Sequence, residues 1–244
     1  MTGEPPRLRM FAGPNGSGKT TVKNGLARPS SWFGAYINPD DLEREVLETG
    51  VLSLEQFGLT TNSAEIQSWF ANSSLIQRAQ LASQVTSIKC RSGLIDFEGL
   101  SMNSYYASVL ADFLRQQLLR TSQSFSTETV MSFHDKIDLL RAAQAAGFRT
   151  YLYYVATEDP AINIERVKYR VAHGGHDVPE EKIVSRYHKS LKLLSQAIRY
   201  ANRGVLFDTS EQDPWYFAET TDGTQIELKF DEMPNWFQPV WDQF

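Results

Sequence analysis

Gly13-Pro14-Asn15-Gly16-Ser17-Gly18-Lys19-Thr20, followed by Thr21, is the stretch on which the fold turns. It satisfies the pattern GxxxxGK[ST] at every fixed position. Glycines let consecutive backbone N–H groups converge on an anion without Cβ clashes. A helix starting directly afterwards presents its positive end to the same anion. Lys19 is placed to reach the β and γ phosphates of a nucleotide, and the Thr20 hydroxyl to ligate Mg²⁺. A chance match in a glycine-containing turn would lack the flanking context. Here the run from Arg7 to Phe11 reads as a strand entering the loop, and a helical pattern begins near Lys19. Gly13 through Thr21 are therefore the expected nucleotide-binding residues, with ATP and Mg²⁺ as the expected ligands.

Outward from the loop, Ala35 to Ile37 reads as a second short strand ending at Asn38-Pro39-Asp40. The segment from Asp41 to about Thr121 reads as mainly helical, with apolar residues at helical spacing in Leu75 to Val85 and Tyr105 to Leu119. Thr86 to Phe97 between them is a candidate hairpin. Ser124 to Glu128 reads as a strand, and Ser132-Phe133-His134-Asp135 as a capping box opening a helix that stops at Gly147. Thr150 to Val155 and Gly204 to Asp208 are apolar enough to be buried strands of a parallel sheet. Helices are expected over Ala161 to Ala172 and from Pro179 to near Asn202. Asp222-Gly223 is a type I′ hairpin signal between Trp215 to Glu219 and Thr224 to Phe230. The expected architecture is α/β: a three-layer P-loop fold, like that of nucleoside kinases, with a parallel sheet, a helical insertion and a C-terminal β-hairpin. The expected division is a kinase-type domain over 1–212, with an insertion at about 44–101 and a lid at about 161–190, then a hairpin and aromatic tail over 213–244.

Composition narrows the function. Hydrophobic residues at 41% and charged ones at 22% suit a globular chain of 244 residues with a sizeable core. A net charge of −5 argues against a general nucleic-acid binder, which needs a dominant basic face. Cys90 is the only cysteine, so no intramolecular disulfide is expected and no Cys/His metal spacing exists. The N-terminal MTGEPPRLRMF lacks the apolar core of a signal peptide, and no stretch approaches a membrane helix. A cytoplasmic, bacterial protein with no membrane partner is the expectation.

A phosphate loop does not by itself choose between hydrolysis, switching and transfer. No N/TKxD-type guanine motif is present, and the best Walker B candidate, Ser124 to Glu128, ends in a single carboxylate. Small-molecule kinases carry a carboxylate after the second strand and an arginine-rich lid near the fourth, and both are found. Asp40 could accept the proton of an attacking hydroxyl; equally, Asp40 and Asp41 could simply cap the next helix. Arg166, Arg170, His176 and Arg186 lie across the helix–loop–helix from Ala161 to Asn202, with Arg166 and Arg170 on one helix face. They read as a lid over transferring phosphate, or as a solvated basic face.

Four stretches taken together, Gly13 to Thr20, Ile37 to Glu43 (INPDDLE), Ser124 to Thr129 (SFSTET) and Ile164 to Pro179, resemble the zeta-toxin family of P-loop kinases. The resemblance implies an ATP-dependent kinase acting on a hydroxyl of a small molecule, such as UDP-N-acetylglucosamine, and a protein antitoxin as partner. It makes Asp40 the base, Glu128 a carboxylate at the substrate or magnesium shell, and Arg166 a γ-phosphate arginine. It puts His176 where the family has a second lid arginine, so Arg170 or Arg186 would replace it. Asp112 falls near a carboxylate that shapes the substrate site. The competing expectation is a regulatory or assembly ATPase with no small-molecule acceptor.

Overall fold

The computed structural model describes residues 4–244. Its strands and helices, in chain order, are β1 (Arg7–Ala12), α1 (Lys19–Gly25), α2 (Ser30–Phe33), β2 (Ala35–Ile37), α3 (Pro39–Thr49), β3 (Val51–Ser53), α4 (Ser63–Ala71), α5 (Ser74–Arg78), β4 (Lys89–Arg91) and β5 (Leu94–Asp96). There follow α6 (Ser104–Arg120), β6 (Phe125–Thr129), α7 (Asp135–Ala145), β7 (Arg149–Ala156), α8 (Pro160–Ala172), α9 (Glu180–Arg199), β8 (Arg203–Asp208), β9 (Trp215–Thr221), β10 (Gln225–Leu228) and α10 (Gln238–Trp241). The chain folds as two compact units, one holding residues up to Phe33 together with Ser126–Phe244, the other Gly34–Phe125.

In the first unit the strands run in the order β10-β9-β8-β7-β1-β6. β1, β7 and β8 are mutually parallel, while β9 and β10 are antiparallel additions. β7 is central and nearly continuous in apolar residues because helices cover both of its faces. Tyr154 points to one side, where its hydroxyl lies 3.0 Å from Ser190 Oγ on α9. Its neighbour Tyr153 points to the other and stacks on Phe11, in a cluster with Val22 of α1, Val155 and Phe207. That alternation builds the three layers. The hairpin forms as the sequence predicts: Asp222 and Gly223 both take positive φ, 48° and 69°, which a type I′ turn requires. Of the C-terminal aromatics, Phe217, Trp236 and Phe237 are buried against one another, so much of the tail is core.

The second unit is built on α6, whose Tyr106, Leu110, Phe113 and Leu114 are buried, with Phe70 of α4 stacking on Tyr106. The predicted hairpin in Thr86 to Phe97 is present as β4 and β5, and it carries a third antiparallel strand, β3, that the sequence reading missed. The helical reading of Leu75 to Val85 is only partly realised. α5 ends at Arg78, Gln80 takes φ 57°, and a 3-10 turn covers Ala82–Ser87.

One local expectation fails. α7 begins at Asp135 with His134 at its N-cap, and no side chain caps it, so the Ser132 capping box does not form. Met131, buried and at φ 52°, turns the chain before Ser132 can reach the helix. Among the described residues, no helix is long and apolar enough to cross a membrane.

Candidate functional site

The phosphate loop is held on every side. Gly13 N donates to Thr129 O (3.2 Å), Asn163 Nδ2 to Asn15 O (2.6 Å) and Thr209 Oγ1 to Ser17 O (2.8 Å). Gly16, at φ 74°, sits so close to α8 that a Cβ there would lie 2.5 Å from the Asn163 carbonyl oxygen. At Gly13 a Cβ would lie 1.9 Å from Val155 O. These are positions where only glycine lets the loop lie against the neighbouring backbone. The contacts that fix the loop are themselves fixed. Thr157 Oγ1 donates to Asn163 Oδ1, and the Tyr187 hydroxyl donates to Thr157 O (2.5 Å) and Glu158 O (3.2 Å). Burial, reinforced by the Glu158, Asp159 and Asp208 carboxylates, pushes the Tyr187 phenol up, so it stays a donor.

Within this cradle Lys19 is buried, its Nζ donating to Gly13 O (3.0 Å) and Pro14 O (2.9 Å). The Thr20 hydroxyl lies 3.2 and 3.1 Å from the two carboxylate oxygens of Glu128 at the end of β6. The donor set suits a magnesium–nucleotide pair. Mg²⁺ in such sites takes one or two protein oxygens and fills the rest of its shell with phosphate and water. Among the described residues, no group of three or more His, Cys, Asp or Glu forms a dedicated cage. Ser17 Oγ, fully buried in the loop, has no hydrogen-bond partner among the described residues.

The lid arginines divide. Arg166 donates to Thr209 O (2.6 Å), Glu211 O (3.3 Å) and Thr209 Oγ1 (3.4 Å), which ties α8 to the loop after β8. Arg170 donates to His176 O (2.7 Å), and its aliphatic stem packs against Gly175, where a Cβ would lie 2.4 Å from Cγ. His176 contributes that carbonyl while its residue is exposed. Arg186 of α9 reaches the phosphate loop itself, its Nη1 donating to Asn15 Oδ1 (3.3 Å). Asn163 and Thr209 were not singled out in the sequence. Asn163 had a signal, since it lies three residues before Arg166 and so shares its helix face.

Asp40 and Asp112 belong to the second unit. The cap of α3 is Asn38, whose Oδ1 accepts from Asp40 N (3.2 Å). Asp41 accepts from Asn38 Nδ2 (3.0 Å) and pairs with Arg44 (2.5 Å). Asp41 also lines a cleft of about 310 Å³ with Tyr36, Glu45, Gln56 and Phe57. The exposed Asp40 carboxylate has no hydrogen bond or ion pair among the described residues. Capping of α3 is thus done by the Asn38 side chain, and not by Asp40 or Asp41. Asp112 is half-buried on α6.

The solved structures most similar to this one include chains of the AvrRxo1-ORF1:AvrRxo1-ORF2 complex. The match to the form with ATP has a TM-score of 0.56 at 14% identity, covering 98% of this chain and 63% of that one. The match to the form with sulphate ions has a TM-score of 0.53 at 15% identity, covering 92% and 61%. The chain shares their fold. The expected α/β architecture, a largely parallel sheet between helices with a C-terminal β-hairpin, is borne out. A chain from the PezAT chromosomal toxin-antitoxin system of Streptococcus pneumoniae aligns over 100% of this chain and 86% of its own, at 16% identity and TM-score 0.48. In sequence, an uncharacterized protein of Haemophilus influenzae is 33% identical over 63 residues, 26% of this chain and 45% of that protein. The chain therefore spans about three-fifths of the AvrRxo1 chains and matches under half of the Haemophilus protein. No family model matches.

Proposed function

We propose that the chain is an ATP-dependent phosphotransferase acting on a hydroxyl of a small molecule, a nucleotide sugar such as UDP-N-acetylglucosamine being the leading candidate. The observation that carries the reading is the Thr20–Glu128 pair beside a buried Lys19 in a fully supported phosphate loop. In this reading the loop amides and Lys19 hold the β and γ phosphates, and Thr20 and Glu128 hold the cation. Mg²⁺, when bound, neutralises charge on the phosphate oxygens. Arg186 contacts the loop and stabilises charge on the transferring group. Asp40, free of structural partners, takes the proton of the acceptor hydroxyl. A protein partner that holds the chain inactive, in the manner that a toxin–antitoxin pair implies, belongs to the same proposal.

The test is to incubate the protein with labelled ATP, Mg²⁺ and a metabolite extract, and to separate the products. A labelled metabolite that appears with wild-type and Asp41→Asn protein and is lost with Asp40→Asn supports both the activity and the base. Release of inorganic phosphate with no labelled metabolite sinks the reading in favour of a regulatory ATPase.

A further inference from the structure

Asn235 and Trp236 follow the terminal hairpin, outside every motif that marks the phosphate loop. The Trp236 ring is buried, edge-on to Phe217 with centroids 5.5 Å apart and tilted against Tyr154 at 5.9 Å. Packing accounts for the ring, as for most buried aromatics. It does not account for what the polar end does. Trp236 Nε1 donates to Asp208 Oδ2 (2.7 Å), a buried carboxylate at the end of β8. Asp208 Oδ1 accepts from Ser210 N (2.7 Å). Between these two lies Thr209, whose hydroxyl donates to Ser17 O of the phosphate loop and whose carbonyl accepts from Arg166.

Asn235 makes a parallel connection. Its backbone N–H donates to Glu158 Oε1 (2.7 Å) on the loop after β7. Glu158 N donates in turn to Ser210 Oγ (2.8 Å), so the loops after β7 and β8 are tied to each other. Next to Glu158, Thr157 holds Asn163, and Asn163 holds Asn15 O. Two consecutive tail residues thus stand behind the two loops that fix the phosphate loop. Among the described residues no cation pairs with Asp208, so its charge rests on the Trp236 and Ser210 donors. A buried carboxylate oxygen that loses its donor is costly, and the turn that carries it shifts to recover a partner.

We infer that Trp236 and Asn235 are positioning residues of the nucleotide site: the tail holds Thr209 and Asn163 where they shape the phosphate loop. This rests on the nucleotide-binding part of the phosphotransferase reading and extends that site to the C-terminal tail. Coupling between two sites is reciprocal in free energy, so a nucleotide that fills the loop holds the tail in return.

The experiment titrates the full chain calorimetrically with Mg²⁺ and a non-hydrolysable ATP analogue. Trp236→Phe keeps an aromatic ring and removes the N–H donor. It should weaken the analogue about tenfold, the scale on which losing the partner of a ligand-holding group acts. Phe237→Leu disturbs the same aromatic cluster and no side-chain hydrogen bond, so it should lower the melting temperature and leave the affinity unchanged. Hydrogen exchange followed by NMR on the wild type gives a reading that packing alone would not move. The Trp236 indole N–H and the Asn235 amide should exchange about tenfold more slowly with the analogue bound, the same factor by reciprocity. The Asp222 amide in the hairpin turn, bonded to Asn202 O, should be unaffected. If Trp236→Phe binds like wild type, if Phe237→Leu weakens binding equally, or if the analogue leaves exchange at Trp236 and Asn235 unchanged, the tail is packing alone and the inference falls. Should Trp236→Phe fail to fold, the exchange measurement on the wild type decides by itself. A wild type that does not bind the analogue sinks the nucleotide-site reading instead.

Discussion

Gly16 in the phosphate loop and Gly174 in the loop after α8 share a left-handed backbone, with φ of 74° and 83°. Around Gly16 the space is full, and the Asn163 backbone lies within 3.1 Å of where a Cβ would be. At Gly174, among the described residues other than its chain neighbours, nothing lies within 4 Å of where a Cβ would be. The phosphate loop is tied by hydrogen bonds from Thr209 and Asn163 and by its own bond to Thr129. The other loop is held by Arg170 at His176 O, by Gly174 N and Gly175 N donating to the last turn of α8, and by Val178 packing on Val167 and Ile183. The first region is preorganised, so its donors need no reorganisation when a phosphate arrives. The second is held by the two helices it joins, and its one left-handed glycine stands in open space.

The sharpest test of the preorganised region is Lys19→Ala. ATP binding and turnover should both disappear while circular dichroism stays native, because Lys19 is the loop's own cation and the proposed reading places it at the transferred phosphate. Unchanged affinity in a calorimetric titration would remove the nucleotide site altogether.

Next in size is Arg186→Ala, which removes the cation that reaches from α9 to the pinned loop. Turnover should fall about a thousandfold, as for loss of a comparable catalytic arginine, with ATP affinity falling only about tenfold. Arg170→Ala should do less, since Arg170 serves its own loop. Were Arg170→Ala the more damaging of the two, the segment after α8 would be supplying the catalytic charge, and the comparison would reverse.

The glycines give the smaller effects. Gly16→Ala combines a disfavoured φ with a clash against backbone, a loss of roughly 2–5 kcal/mol in unfolding free energy. Gly174→Ala meets the same φ in open space and should cost about 1 kcal/mol. Chemical denaturation of the two variants measures both. Equal losses would mean that the two loops are equally constrained.

How much of this was readable in advance follows from distance along the chain. The phosphate loop was legible because its pattern is contiguous and each fixed position has a local reason. The hairpin at Asp222-Gly223 was legible for the same cause. The division of labour among the arginines was not: Arg186 meets Asn15 across 171 residues, and Arg166 meets Thr209 across 43. β3 escaped notice because it is three residues long and pairs with β5 across the helices α4 and α5. The capping box failed through Met131, since nothing in a methionine announces a positive φ. Asp40 was left open between two roles by its sequence, and the Asn38 side chain decides the cap by taking it.

The strand β10 is only four residues long, and its Gln225 and Glu227 are exposed, with Lys229 donating to Glu227 just beyond it. Such a short, charged border offers a poor template for strand addition by another molecule. β8, two places inward, is the opposite: Gly204, Leu206, Phe207 and Asp208 are all buried, and β9 covers its outer hydrogen-bonding row. Cutting the chain at residue 212 would therefore not release a smaller, well-behaved domain. It would leave the β8 edge bare, a largely apolar border open to pairing with its own copies, so the terminal hairpin acts as a guard against self-association as well as an ornament of the fold.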